Sequence, residues 1–237
     1  MRQAARGPVD PSVARLRLGW WQEELGRLAR GEARHPVTQA LARALPGLVD
    51  EFTSLNRMLD AAALELARTP FADLAALGNY ARSSLSPLYR LAALAASAPA
   101  RDATALAAAE VLGGGVRLAE IVAGVRRDAL DARFFLPLSE LAHEEARALI
   151  EGRAAPRIET ALRGAHQLAS SWLTEARQLY GRVAPDPASA VALEWHAAVL
   201  EDVDRRGFAT GFGPGSPGPL RGLWLAWRAA RAAARRV

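Results

Sequence analysis

Apolar residues recur three and four apart along most of the chain. The pattern begins with Leu18, Trp21, Leu25 and Leu28 on one helical stripe, with Glu23 and Arg27 four apart on the wet side. No segment sustains the alternation of β-branched and polar residues that a half-buried strand needs. Proline, glycine and aspartate punctuate the pattern into about nine helices. Asp10 and Pro11 open the first and Gly31 closes it; Pro36 starts a second, which Pro46 must end or kink. A third runs toward Arg68 with Phe52, Leu55, Leu59 and Leu66 in its core face. Further helices are expected over 71–97, with a bend at Pro87, from Asp102 as cap to Leu130, and over 139–151, 156–180, 187–206 and 217–236. The Gly/Pro-rich stretch 211–219 is too short to link domains. The expectation is one domain over 1–237, with 1–12 a flexible N-terminal segment.

Composition strengthens this reading. Of 237 residues, 51% are hydrophobic, enough for one sizeable core, and Ala, Leu, Arg and Glu favour helix. The fold class is therefore all-α, a single-domain helical bundle. Gly113, Gly114 and Gly115 interrupt the longest helix, at about 1 kcal/mol each relative to Ala. Close approach of a neighbouring helix accounts for them, because no strand precedes them and no Gly-Lys-Ser/Thr follows, as a phosphate loop requires.

Without cysteine the chain has neither disulfides nor thiolate metal sites. His35, His143, His166 and His196 lack zinc-site spacing, and Ser83, Ser84 and Ser86 lack a nucleophile-elbow context. No apolar run approaches the roughly 20 residues of a membrane span, and no signal peptide precedes Arg15, so a cytoplasmic protein is expected. All 30 basic residues are arginine, as a G+C-rich genome favours, and the net charge is +5. No nucleic-acid recognition motif accompanies that charge. Four arginines, Arg228, Arg231, Arg235 and Arg236, follow Trp224 near the C-terminus. The expected arrangement packs Leu220, Leu223, Trp224 and Trp227 on the core, with the arginines favouring the negative helix end. The alternative lays this end on an anionic membrane surface, in peripheral contact with an inner membrane.

The segment from Leu112 to Pro137, LGGGVRLAEIVAGVRRDALDARFFLP, carries a resemblance. It is similar to the squalene/phytoene synthase signature L-G-x-A-x-Q-L-x-N-I-L-R-D-V-x-E-D followed by G-R-x-Y-L-P. Leu112, Gly113, Leu118, Ile121, Arg133, Phe135, Leu136 and Pro137 keep the frame. Arg117 stands for the Gln, Glu120 for the Asn and Gly124 for the first metal-binding Asp, leaving Asp128 alone of the aspartate pair. Upstream, Arg17-Leu18-Gly19-Trp20-Trp21, Gly31-Glu32 and Pro36-Val37 resemble the family's W-W helix and its continuation. Tyr80 lies in a segment similar to the family's Y-x-x-x-x-A-G helix, with Leu85-Ser86 in place of A-G. That variant resembles the branch containing the mitochondrial complex I assembly factor, regarded as lacking synthase activity.

The resemblance implies an isoprenoid synthase bundle in which two D-x-x-x-D helices hold Mg2+ and a prenyl diphosphate. Carboxylates four apart on a helix suit that task as hard oxygen ligands. Here the second motif is broken, and the first aspartate-rich helix has no counterpart before Arg15. On the altered face Arg117 can pair with Glu120 and Arg127 with Asp131, while Arg117, Arg126, Arg127 and Arg133 offer guanidinium to a phosphate without metal. The expectation is a catalytically degenerate family member with no catalytic residue and no cofactor, acting as a binding or assembly factor. Tyr80, Arg117, Glu120, Arg127 and Arg133 are expected to line a cavity for an isoprenoid diphosphate or lipid, and Asp128 to be a metal-site remnant. A protein partner is a further expectation. The alternative is an active Mg2+-dependent head-to-head prenyltransferase condensing farnesyl or geranylgeranyl diphosphate.

Overall fold

The computed structural model describes residues 10–68, 71–96, 102–137, 143–153, 156–209 and 215–235. Among these, nine α-helices and one 3-10 stretch make up the regular structure, with no strand. They are α1 Pro11–Ala29, α2 Pro36–Ala44, the 3-10 stretch Pro46–Leu55, α3 Asn56–Ala67, α4 Leu74–Ala96, α5 Ala103–Leu130, α6 His143–Glu151, α7 Pro156–Tyr180, α8 Pro187–Arg205 and α9 Pro219–Ala234.

Local chemistry sets the ends. The Asp10 carboxylate accepts from Ser12 N–H at 2.8 Å, and that of Asp102 from Thr104 N–H at 2.7 Å. Such caps satisfy donors that the first turn leaves without partners. Residues 10–12 are thus helix cap and first turn rather than part of a flexible segment; 1–9 lie outside the described residues. The fourth helix begins at Leu74, later than expected, because Asp73 accepts from Ala76 N–H at 2.7 Å. Pro87 is buried inside a continuous α4. The helix expected from 139 is described from His143.

Helix α5 is the axis of the bundle, packed against α4, α7 and α8. Its glycines make this possible. A Cβ on Gly113 would lie 2.7 Å from Ser86 Cα of α4, one on Gly114 2.7 Å from the Trp172 ring of α7, and one on Gly115 2.9 Å from Leu173 Cδ2. Close approach of neighbouring helices is therefore what the glycines serve. Two apolar clusters flank α5: one unites α4, α5, α7 and α8, and the other unites α1, the 3-10 stretch and α3 with the ends of α4 and α5. On α1, Leu18, Leu25 and Leu28 are buried as expected, with Trp21 half-buried, and Arg27 pairs with Glu23 at 2.9 Å.

Candidate functional site

The site grows from Arg117, near the middle of α5. Its relative exposure is 0%, although it is an arginine. Taking a guanidinium out of water costs several kcal/mol unless charge and hydrogen bonds replace the lost solvation. Three residues supply that replacement. Nη2 donates to Tyr80 Oη at 2.5 Å and to Glu65 Oε1 at 3.2 Å, Nε donates to Tyr80 Oη at 3.1 Å, and Nη1 donates to Glu120 Oε2 at 3.2 Å. The Tyr80 hydroxyl itself donates to Glu65 Oε1. Helices α3, α4 and α5 are thereby tied through a single guanidinium.

Aromatic rings complete the enclosure. Arg117 Cζ lies 4.9 Å from the Phe135 ring centroid and 5.3 Å from that of Tyr80, and the two rings stack at 5.6 Å with 24° between planes. Phe71 also packs against Tyr80, with ring centroids 4.9 Å apart and planes tilted by 40°. Phe135 reaches this position because α5 ends in a tight reversal. Ala132 takes φ 53°, its N–H bonds Ala129 O at 2.9 Å, and Arg133 N–H bonds Asp128 O at 2.8 Å. That is the left-handed close with paired back-bonds by which many helices terminate.

Electrostatics follow the geometry. Burial disfavours the Arg117 charge, but Tyr80, Glu65 and Glu120 outweigh it and hold its pKa above the ordinary arginine value. Burial likewise pushes the Tyr80 phenol up, so it stays neutral and donates to Glu65. Glu65 Oε2 is buried with no hydrogen-bond partner among the described residues. The carboxylate therefore depends on Arg117 for its compensation.

Several expectations change here. Tyr80 and Arg117, expected to line a cavity, are instead packed into the core against each other. Glu120 and Arg133 are half-buried, and Arg127 is exposed. Arg117 and Glu120 pair as their spacing suggests, whereas Arg127 pairs with Asp128 at 3.4 Å rather than with Asp131. The reason is that α5 stops at Leu130, so Asp131 is the cap and no longer a helical neighbour. Arg126 donates to Ile150 O at 3.2 Å. Glu65 was missed, although it sits on the same α3 stripe as Met58, Leu59 and Ala62, where a carboxylate is out of place. Glu24, fully buried on α1, was missed too. Its Oε1 accepts from Arg34 N–H and His35 N–H at 2.8 Å each and from the Thr38 hydroxyl at 2.5 Å.

Among the described residues, the side chains at this site do not make a place for a divalent metal. No group of three or more His, Cys, Asp or Glu among the described residues could hold one. Gly124, at the place of the missing aspartate, is covered by the Arg127 guanidinium, which occupies the space a side chain there would enter. Around Asp128, Arg133, Phe134 and Phe135 the packing leaves about 10 Å3, room for one water and no more. Two histidines bond the backbone: His196 Nδ1–H donates to Ala192 O at 2.7 Å and burial holds its pKa down, while His166 Nε2–H donates to Leu200 O at 3.2 Å.

Residues 2–228 match the profile of squalene/phytoene synthase. The chain belongs to the squalene/phytoene synthase family. Its fold is similar to that of the squalene synthase HpnC from Alicyclobacillus acidocaldarius, with TM-score 0.69, 20% identity, and 90% of this chain and 80% of that chain covered. It is also similar to a dehydrosqualene synthase solved in complex with ligand, with TM-score 0.75, 15% identity, and 99% and 84% covered. Comparison with curated proteins gives no match. Likeness at these identities fixes the isoprenoid synthase bundle, and chemistry has to be argued from the residues.

Proposed function

We propose that this family member no longer ionises prenyl diphosphates and works as a binding or assembly factor. The observation that carries the reading is the fully buried Arg117, at the signature's Gln position, bonded to Glu65, Tyr80 and Glu120. A side chain committed to three partners inside the core is unavailable to a substrate. Gly124 beneath Arg127 supports the same reading, since a metal-binding carboxylate is missing there and a cation lies in its space. So does Ser86, at the altered A-G position: its hydroxyl donates to Glu110 O at 2.5 Å, so the change is absorbed into the α4–α5 contact. This is the feature by which the chain resembles the complex I assembly factor branch, and a protein partner belongs to the proposal. Glu120, Arg127 and Arg133 retain solvent access and are the members of the site offered to an isoprenoid diphosphate or lipid headgroup. The two arginines supply guanidinium there in place of metal.

Incubation of the purified chain with farnesyl and geranylgeranyl diphosphate plus Mg2+ tests the reading. Diphosphate release is expected to stay at the protein-free rate. Release at enzymatic rates would establish the rival, an active head-to-head prenyltransferase.

A further inference from the structure

Helix α9 has two apolar faces, and only one is used by the fold. Toward the core it turns Gly222, Leu225, Ala229 and Ala233, all buried. A Cβ at Gly222 would lie 2.8 Å from Trp195 Cη2, so the glycine is what lets α9 settle on α8. Away from the core stand Leu220, Leu223, Trp224 and Trp227, at 84%, 71%, 52% and 56% exposure. Their spacing of three, one and three puts them on one outward stripe. The expectation that these four pack on the core is thus corrected: the small residues took the inner face, and the large ones were left outside.

Charge distinguishes this stripe from scattered exposed apolar residues. Every ionisable side chain of α9 is arginine, and Arg235 caps its end. The Arg228 guanidinium lies 4.5 Å from the Trp224 ring centroid, and that of Arg231 5.2 Å from Trp227. Arg221 and Arg228 also reach back to Glu201 and Glu194 of α8. An occupant must therefore receive two leucines and two indoles while meeting the adjacent cations with negative charge. No helix among the described residues is long and apolar enough to cross a membrane.

We propose that α9 lies in the surface of an anionic lipid bilayer, leucines and indoles at the acyl–headgroup boundary and arginines among the anionic headgroups. Interfaces of this kind take amphipathic helices whose apolar side carries Trp and Leu and whose flanks carry Arg. Indoles settle at headgroup depth, and anionic lipid attracts nearby guanidinium groups. The proposal is independent of whether the core site is catalytic.

Sedimentation of the full chain with vesicles of phosphatidylcholine alone, or mixed with phosphatidylglycerol, tests it. Binding to the mixed vesicles is expected to be about tenfold or more tighter, to weaken as salt is raised, and to shift tryptophan emission to the blue. Trp224→Ser with Trp227→Ser, and separately Leu220→Ser with Leu223→Ser, should each weaken it about tenfold or more while lowering the melting temperature by no more than about 5 °C. Absence of binding to the mixed vesicles, equal binding to phosphatidylcholine alone, or full binding by the double variants would each overturn the proposal. A stable dimer in sedimentation velocity, dissociated by the same substitutions, would assign the face to a second copy instead.

Discussion

Arg117 and Arg231 each lie about as far from an aromatic ring, 4.9 Å from Phe135 and 5.2 Å from Trp227, in opposite surroundings. Arg231 is exposed and water solvates it. Arg117 is wholly enclosed, and two carboxylates and a phenol stand in for the water. The contrast separates geometry from energetics: similar cation–ring contacts carry very different consequences for the fold, because only one guanidinium leaves a buried polar partner behind when it is removed. It also separates roles, since a side chain bound from all sides is structural whereas one facing solvent is available to a partner.

The largest effect should come from breaking the enclosed arrangement. Arg117→Ala leaves the buried Glu65 carboxyl without its guanidinium partner, and is expected to cost about 3–5 kcal/mol in denaturant unfolding. Pairing it with Glu65→Gln should recover a large part of that loss, because the carboxyl that lost its partner goes with it. If Arg117→Ala costs under about 1 kcal/mol, burial is not what distinguishes the two arginines.

A second buried ion sharpens the point, since Glu24 is compensated mainly by neutral donors. Hydrogen bonds from His35 N–H and then the Thr38 hydroxyl hold its pKa at about 2 despite burial. Glu24→Ala strips the Arg34 and His35 N–H groups and the Thr38 hydroxyl of their acceptor, and is expected to cost about 2–4 kcal/mol. A depressed carboxyl pKa stabilises the folded state above its ordinary value, and that contribution fades as pH falls. For Glu24 the window runs from the ordinary 4.5 down to about 2. Melting curves recorded across it should show Glu24→Gln losing less stability on acidification than the parent chain.

Much of this was legible in the sequence, for a physical reason that also marks the limit. Helical spacing reports which residues share a face, so α1's stripe, the Asp102 cap, the Arg117–Glu120 pair and close packing at Gly113, Gly114 and Gly115 could all be read from local pattern. What lies across from a face is not local. Glu65 meets Arg117 from 52 positions away, and nothing in the spacing within α5 reveals an arginine that will be enclosed. On α9 the pattern was ambiguous by construction, because the stripe of Leu220, Leu223, Trp224 and Trp227 and the stripe of Gly222, Leu225, Ala229 and Ala233 are both apolar. Periodicity favoured the larger residues for the core, but the smaller ones allow closer approach to α8.

Glycine substitutions probe how tightly α5 encloses its charge. At Gly113 an added methyl meets α4 backbone, which cannot swing aside, and Gly113→Ala is expected to cost about 1–3 kcal/mol despite its better helix propensity. At Gly124 the methyl meets only the end of the Arg127 side chain, which is exposed and can move. Gly124→Ala should therefore be neutral or stabilising by up to about 1 kcal/mol. Thermal unfolding of the two variants side by side distinguishes a wall that cannot yield from a cover that can.

The smallest effect belongs to the exposed partner of the opening pair. Arg231→Ala removes a solvated guanidinium from the Trp227 ring and a cation from the last turn of α9, where it favours the negative helix end. Both contributions are small in water, and the expected loss is about 0.5–1 kcal/mol in urea unfolding. Trp227→Ser should be similarly mild, since the exposed ring supports little of the core. A loss from Arg231→Ala approaching that of Arg117→Ala would mean that α9's outer face is covered in solution, because only a desolvated arginine leaves so large a deficit when removed.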